Sequence, residues 1–165
     1  VLRGLMQVGF FKPDMVDTLP EKTEGAIDLS AIRFKDVAGN EVVLGDLKGK
    51  VVFLNFWAAW CPPCLAEMPS IHQMYDKFKD DSSFVFLFVD ADSDLLKSTR
   101  FMKKRNYHLP LYSVASSIPE TIFSGSLPTT LVFDKEGRIS YNESGAANYN
   151  DKRFIDFMTK LKKMK

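Results

Sequence analysis

The chain has 165 residues, of which 45% are hydrophobic, 13% aromatic and 26% charged, so it can bury one core and is neither disordered nor fibrous. Its 22 basic and 21 acidic residues nearly cancel, which gives no electrostatic reason to expect nucleic acid or an anionic membrane surface as a partner. No apolar run approaches the roughly 20 residues that a membrane-spanning helix needs. The chain begins at Val1 rather than Met, which suggests a mature or trimmed product, from which a signal peptide or lipid anchor could have been removed.

The first elements in chain order are an unpatterned segment and a hairpin. Residues 1–25 show no helical or strand period, and Pro13 and Pro20 would interrupt a helix, so we assign an N-terminal extension there and a single domain over residues 26–165. Two short extended runs, 32–34 and 42–44, flank the sequence AGNE. Gly-Asn between extended runs predicts a β-hairpin, followed by a polar connection over residues 46–50.

A strand, a helix and a second strand come next. Residues 51–57 and 84–89 are β-branched and aromatic on both faces, which is typical of strands covered above and below. Residues 62–79 between them carry apolar side chains at spacings of three and four and therefore predict an amphipathic helix. These side chains are Leu65, Met68, Ile71, Met74, Tyr75 and Phe78. The order predicts a parallel βαβ unit.

The second half predicts an antiparallel hairpin and a closing helix. Residues 93–105 are helical in pattern, residues 110–112 form a short strand, and another helical turn is expected at 119–123. Strands over 129–133 and 138–141 surround the turn DKEG. A helix with apolar positions between Phe154 and Leu161 follows a cap at Asn150 or Asp151. Together the elements predict an α/β fold with a mixed central sheet flanked by helices.

The chain has two cysteines, Cys61 and Cys64, and they lie where the first buried strand gives way to a helix. A helix N-terminus lowers a thiol pKa through its partial positive charge and its unpaired N–H groups. If Cys61 caps the helix, Pro62 and Pro63 take the first two helical positions and have no N–H. A cap side chain normally accepts a hydrogen bond from the second or third N–H, so only that of Cys64 is left. The thiolate is then less stabilised, which favours the disulfide form and a protein that donates electrons.

Glu67 lies one turn beyond Cys64 on the same predicted helix face. A carboxyl near an apolar helix face has a raised pKa, which would suit it to take the proton of Cys64 near neutral pH. Spacing alone leaves open the alternative that Glu67 is a surface glutamate early in a helix.

A single CxxC is also half of a zinc site, and zinc would need two more ligands. The histidines are His72, in the predicted helix, and His108, before a predicted strand. The lack of a second CxxC argues against zinc, and Met68 and Met74 have the spacing of core residues rather than of metal ligands. We predict no metal site and keep a copper or zinc carrier as an alternative.

Three segments carry a family resemblance: FWAAWCPPC at 56–64, SLPTT at 126–130, and the lead-in LGDLKGKVVFLNFW at 44–57 together with the later Glu67. They resemble the active-site run and cis-proline segment of the thioredoxin superfamily, and most closely its TlpA/ResA-like branch of membrane-anchored or exported bacterial thiol-disulfide reductases. The resemblance runs from about residue 30 to the end. It implies a thioredoxin-like fold with an N-terminal β-hairpin and a helical insert, here about residues 95–123, before the cis-proline.

The resemblance also implies roles for site residues. Pro128 would follow a cis peptide bond beside the cysteines, and the backbone of Leu127 would pair with an extended substrate. Trp60, Pro62 and Pro63 would form the rim that meets the substrate, with Trp57 and Trp60 serving packing rather than catalysis. Asn55 stands where cytosolic thioredoxins carry a buried aspartate and cannot exchange a proton, so the glutamate matched by Glu67 would serve instead.

These observations predict a thiol-disulfide oxidoreductase that reduces protein disulfides. Cys61 attacks, Cys64 resolves, and the redox-active Cys61–Cys64 disulfide is the only redox group, with no added cofactor. The implied partners are a disulfide-containing protein and an upstream thiol-disulfide protein, which could be membrane-bound, that supplies electrons. By resemblance the location is extracytoplasmic, either periplasmic or membrane-anchored and facing the periplasm. A thiol peroxidase is the enzymatic alternative, although a peroxidatic cysteine would be expected without so close a partner.

Overall fold

A computed structural model describes residues 27–165. The extension assigned to residues 1–25 lies outside the described residues, so the division of the chain into extension and domain remains a prediction. The strands are β1 Arg33–Asp36, β2 Glu41–Val43, β3 Val51–Trp57, β4 Phe84–Asp90, β5 Leu111–Val114, β6 Thr129–Phe133 and β7 Ile139–Ser144. The helices are α1 Pro62–Phe78, α2 Leu95–Arg105 and α3 Lys152–Lys163, with short 3₁₀ helices at Leu29–Ala31 and Leu44–Leu47.

One mixed sheet of seven strands organises the described residues, in the order β2-β1-β5-β4-β3-β6-β7. β3 pairs with β4, and β4 with β5, in parallel, whereas the β1–β2 and β6–β7 pairs are antiparallel hairpins. The predicted hairpins, the βαβ unit and the mixed α/β fold are therefore confirmed. In the second hairpin, Gly137 has a φ of 80° and its N–H donates to the carbonyl of Asp134, as the turn sequence predicts.

Strand β3 separates two hydrophobic clusters because alternate side chains point to opposite faces of the sheet. Val51, Phe53 and Trp57 pack into the cluster that contains the buried residues of α1 and α3 and Met102 of α2. Val52, Leu54 and Phe56 pack into the second cluster, which the 3₁₀ helices and residues 118–123 cover. Position 55 follows the first set and therefore faces α1, which decides the geometry of the site.

Several element boundaries differ from the prediction. Leu44 begins a 3₁₀ helix rather than ending a strand, and α2 begins at Leu95 because Asp94 caps it. Ser93 has a φ of 54°, which is incompatible with an earlier helical start. Residues 119–123 form one turn in which the N–H groups of Ile122 and Phe123 donate to the carbonyl of Pro119.

Candidate active site

Cys61 is the N-cap of α1 and forms a disulfide with Cys64. Pro62 and Pro63 occupy the first two helical positions, and the N–H of Cys64 donates to the sulfur of Cys61 at 3.4 Å. This is the local geometry that the sequence predicted. Both cysteines are buried, with Cys61 3% and Cys64 0% exposed. The disulfide is therefore shielded from solvent on most sides.

Glu67 lies inside the protein, 1% exposed, on the buried face of α1 that also carries Cys64. Its Oε1 accepts from the Nδ2 of Asn55 at 3.0 Å, and its Oε2 accepts from the backbone N–H of Ala147 at 3.3 Å. Burial raises the pKa of Glu67 to about 8, against the opposing effect of these two hydrogen bonds. The surface-glutamate alternative is therefore wrong, while the role of Glu67 in proton transfer stays a prediction.

Asn55 connects Glu67 to the other side of the site. Its Nδ2 donates to the Oγ1 of Thr130 at 2.9 Å as well as to Glu67, and Asn55 and Thr130 are paired across the β3–β6 ladder. Both residues are buried. The resemblance implies only that Asn55 cannot exchange a proton, and does not predict these hydrogen bonds. A signal was nevertheless present, since Asn55 is the one polar residue in the strand VVFLNFW.

The Leu127–Pro128 peptide bond is cis, as the resemblance implies. Pro128 is buried, and its carbonyl accepts from the N–H of Gly145 at 2.8 Å. Leu127 is partly exposed, and within residues 27–165 neither its N–H nor its carbonyl has a hydrogen-bond partner. A backbone pair is therefore available beside Pro128 for an extended chain.

The loop between β7 and α3 joins the proline segment to the active-site helix. The backbone N–H of Gly145 donates to the carbonyl of Pro128, and the backbone N–H of Ala147 donates to the carboxylate of Glu67. The Oγ of Ser70, one turn after Glu67 on α1, donates to the carbonyl of Glu67 at 2.8 Å and accepts from the N–H of Tyr149 at 3.1 Å. No local sequence pattern predicts these contacts, because the partners of the loop lie nearly 80 positions away in the chain.

Tyr141 and Tyr149 lie close enough to Glu67 to interact with its charge. Burial raises the pKa of both hydroxyls above the ordinary tyrosine range. They therefore stay neutral at physiological pH and do not compete with Glu67 for protons.

The rim of the site, formed by Trp60, Pro62 and Pro63, is exposed to solvent, unlike the buried residues around Glu67. Trp60 is 59% exposed, and its indole N–H donates to the carboxylate of Asp92. Asp92 is held by Asp90, which is 3% exposed and accepts from the N–H of Asp92 at 2.8 Å. Trp57 is instead fully buried against Phe101, so the structure separates the two tryptophans that the sequence analysis grouped together. Pro62 is exposed and Pro63 partly exposed.

The two histidines, His72 and His108, do not form a metal-binding group with the cysteines among residues 27–165. The Nδ1 of His72 lies 3.6 Å from Asp76, and His108 is exposed. Across residues 27–165, no group of three or more His, Cys, Asp or Glu side chains could hold a metal ion. In the same part of the chain, no helix has the length and apolar composition needed to cross a membrane.

Comparisons with known proteins agree with this geometry. The Redoxin family model matches residues 17–155. Thiol-disulfide oxidoreductase ResA of Bacillus cereus is 37% identical over 105 residues, which are 63% of this chain and 60% of the relative. The aligned region thus spans only about 60% of the length of that relative.

Solved structures similar to this chain are also thioredoxin-type proteins. A thioredoxin-family thiol:disulfide interchange protein of Chlorobium tepidum TLS is 25% identical, with a TM-score of 0.59 over 82% of this chain and 99% of that one. The exposed lipoprotein thioredoxin of Streptococcus pneumoniae strain TIGR4 is 28% identical, with a TM-score of 0.57 over 80% of this chain and 98% of the other.

Proposed function

Because this chain belongs to the Redoxin family, we propose that it is a thiol-disulfide oxidoreductase that reduces disulfide bonds in other proteins through Cys61 and Cys64. The observation that carries the proposal is the disulfide at the N-terminus of α1 with a buried carboxyl, Glu67, on the same helix face. The cysteine pair supplies the redox chemistry, and the proposed reaction needs no added cofactor.

The reaction begins with the reduced pair. The Cys61 thiolate attacks one sulfur of a substrate disulfide, whose S–S bond breaks to give a mixed disulfide and a substrate thiolate. Cys64, as a thiolate, then attacks the sulfur of Cys61 and releases the second substrate thiolate. Two electrons pass from the cysteine pair to the substrate, and both substrate thiolates take up protons from solvent.

In this scheme Glu67 is the acid–base group that exchanges a proton with Cys64. Its carboxylate takes the proton from the Cys64 thiol before the second attack, and the same proton returns when an upstream donor re-reduces the pair. A carboxyl with a pKa of about 8 is suited to this exchange, because it gains and loses a proton near neutral pH. Since Cys64 is fully buried, a neighbouring acceptor is more effective than distant water.

The substrate would lie across the rim and the cis-proline segment. Leu127 offers a backbone N–H and carbonyl without partners among residues 27–165, so an extended substrate segment can pair with it as an added strand does. The exposed rings of Trp60 and Pro62 then cover the substrate disulfide and exclude water from the exchange.

The direction of the reaction and its location are further parts of the proposal. Pro62 and Pro63 leave only the N–H of Cys64 within reach of the Cys61 sulfur, which favours reduction of substrates over their oxidation. An upstream thiol-disulfide protein, free or membrane-bound, would return the electrons. We assign the protein to an extracytoplasmic site, supported by its likeness to the exposed lipoprotein thioredoxin of S. pneumoniae.

Trapping with the Cys64→Ala variant tests the function. We expect the wild type to reduce insulin disulfides with dithiothreitol as electron source. Cys64→Ala, reduced and then freed of dithiothreitol, should stop at a mixed disulfide between Cys61 and insulin, seen on a non-reducing gel. The matched control is the double variant Cys61→Ser, Cys64→Ala, which should form no adduct. Consumption of hydrogen peroxide without reduction of insulin would instead assign the protein to the thiol peroxidases.

A further inference from the structure

The Glu67 carboxyl is held by two N–H donors from different parts of the chain. The amide of Asn55 in β3 contacts Oε1, and the backbone of Ala147 contacts Oε2. The second donor belongs to the backbone and is present whatever side chain stands at position 147. The first depends entirely on the side chain at position 55, so that side chain is where the sequence sets the geometry of the carboxyl.

Asn55 uses both protons of its amide nitrogen, one on Glu67 and one on the hydroxyl of Thr130. Its oxygen has no hydrogen-bond partner among residues 27–165, so the two donors alone fix the orientation of the amide. An amide nitrogen donates and never accepts, whatever the protonation state of its neighbour. Oε1 of Glu67 can therefore accept from this amide whether or not the carboxyl is protonated, as Oε2 can from the backbone N–H of Ala147.

We propose that Asn55 is a positioning residue for proton transfer, which holds the Glu67 carboxyl in place through a hydrogen bond to Oε1 that is kept in both protonation states. This inference rests on the proposed function, since it concerns the step in which Glu67 takes the proton of Cys64. The proton moves from the Cys64 sulfur to the Glu67 carboxylate, and the hydrogen bond between Asn55 and Oε1 is kept before and after the transfer.

The residue type at position 55 follows from this role. Leucine has a similar size and fits a buried strand, but it offers no donor to the carboxylate. Aspartate would put a second carboxyl against Glu67, and two neighbouring carboxyls titrate as a coupled pair, with one pKa strongly raised. Asparagine keeps one carboxyl, one charge and one fixed acceptor oxygen in the site.

The tyrosine, asparagine and threonine side chains around Glu67 do not change charge near neutral pH, so the titration of Glu67 can be identified in a pH–rate profile. They are Tyr141 on β7, Tyr149 in the following loop and Asn55, which in turn contacts Thr130; Cys64 lies on the same buried face of α1. Burial keeps both tyrosines neutral, and Asn55 and Thr130 carry no charge. A limb of a pH–rate profile near neutral pH that disappears in Glu67→Gln therefore belongs to Glu67 coupled to the cysteines.

The test follows the oxidation of the reduced protein by glutathione disulfide across the neutral pH range. Removing a donor to the carboxylate disfavours its ionised form, so Asn55→Leu should move the Glu67 limb upward by about one pH unit. The rate at neutral pH should fall by up to about tenfold. Thr130→Val is the matched control, because it removes the other partner of the amide, keeps the shape of the side chain, and leaves the bond to Glu67 in place.

The outcomes separate this inference from the function on which it rests. A wild type that does not exchange with glutathione disulfide or insulin would refute the proposed function. A limb that is lost in Glu67→Gln but unmoved in Asn55→Leu, with the rate reduced equally at every pH, would make Asn55 merely structural and overturn this inference alone. In the Glu67→Gln background, Asn55→Leu should cause no further change in the pH profile.

A measurement on the wild type covers the case in which Asn55→Leu does not fold. The side-chain amide protons of Asn55 can be followed by NMR in ¹⁵N-labelled protein over the same pH range. One of the two should shift with the same midpoint as the Glu67 carboxyl, because it is bonded to the group that titrates. Amide resonances that stay constant through the Glu67 transition would contradict the proposal.

Discussion

The two sides of the Cys61–Cys64 disulfide are built in opposite ways. Behind it, Asn55, Glu67 and Thr130 are each at most 1% exposed and are joined by hydrogen bonds between side chains. In front of it, Trp60 is 59% exposed, and its side chain bonds to an acceptor that is itself on the surface, Asp92. Similar hydrogen bonds therefore act in a dry environment on one side and in water on the other.

Because one side of the disulfide is buried and the other is exposed, we expect the two sides to have different functions. In a low-dielectric environment one hydrogen bond changes the balance between a charged and a neutral carboxyl, so the buried side controls protons. In water the same kind of bond contributes little free energy but restricts the orientation of an exposed ring, so the solvent side controls shape. Substitutions behind the disulfide should then change pH dependence, and those in front should change the affinity for protein substrates.

The largest effect is expected for Glu67→Gln, measured as stability against pH in the oxidised protein. Burial raises the pKa of Glu67 from 4.5 to about 8, so between these pH values the folded state keeps a proton that the unfolded state has lost. The stabilisation is complete below the unfolded pKa and is lost as pH rises through the folded pKa. Wild type should thus lose on the order of 5 kcal/mol across this window, and Glu67→Gln should not.

Urea unfolding at a series of pH values measures this dependence. The matched control is Glu120→Gln, since Glu120 is exposed and outside the site. It should follow the wild-type curve. If Glu67→Gln falls with pH as steeply as wild type does, the buried side does not control protons in the way described here.

The next effect concerns Asp90, the buried anchor of the solvent side. Its carboxylate accepts from the N–H groups of Asp92 and Asp94 and from the hydroxyl of Ser98. Asp90→Ala should lower the free energy of unfolding by about 2–3 kcal/mol, because it leaves the buried hydroxyl of Ser98 and two partly buried backbone N–H groups without their acceptor. Ser98→Ala, which removes one of the three, should cost about 1 kcal/mol in the same urea titration. Equal losses in both variants would mean that Asp90 does not organise this loop.

The sequence predicted the parts of the site that depend on local order. Cys61 as a helix cap, Pro62 and Pro63 in the first turn, and Glu67 on the face of Cys64 all follow from spacing along one helix. The paired strands followed from apolar runs and from turn residues such as Gly137. The cis bond before Pro128 came from the resemblance, since most prolines in loops are trans.

The contacts that complete the site join distant positions, and no local pattern predicts them. Asn55 and Thr130 are 75 positions apart, and Glu67 and Ala147 are 80 apart. They meet because β3 and β6 are neighbours in the sheet and because the loop after β7 returns to α1. A polar residue in an apolar strand identified Asn55 as unusual, but only the strand order supplied its partners.

Pro63→Ala should have an intermediate effect, on the redox equilibrium. It restores an N–H at the second helical position, where a cap side chain finds a donor, and so stabilises the Cys61 thiolate. Stabilising the reduced form raises the reduction potential, by about 30 mV for one such hydrogen bond. Equilibration with glutathione buffers measures the shift. Pro62→Ala is the control, because the N–H of the first position does not point at the cap, and an equal shift there would rule out this explanation.

The smallest effect, and the sharpest test of the comparison, is expected for Asp92→Ala. The substitution removes the acceptor of the Trp60 indole but alters no buried group, so stability should change by no more than about 0.5 kcal/mol. The KM for insulin should rise a few-fold with kcat unchanged, because a freely rotating Trp60 must be ordered when a protein docks. Asp92→Asn keeps an acceptor oxygen and should restore most of the loss.

The rate with glutathione disulfide discriminates between the two regions. Glutathione is too small to use the whole rim, so Asp92→Ala should react with it as wild type does and with the same pH profile. The anisotropy of Trp60 fluorescence, measured in a Trp57→Phe background, should fall in Asp92→Ala and recover in Asp92→Asn. A displaced pH limb in Asp92→Ala would mean that the solvent side also acts on the proton of Glu67, and the two sides of the disulfide would then form one coupled unit.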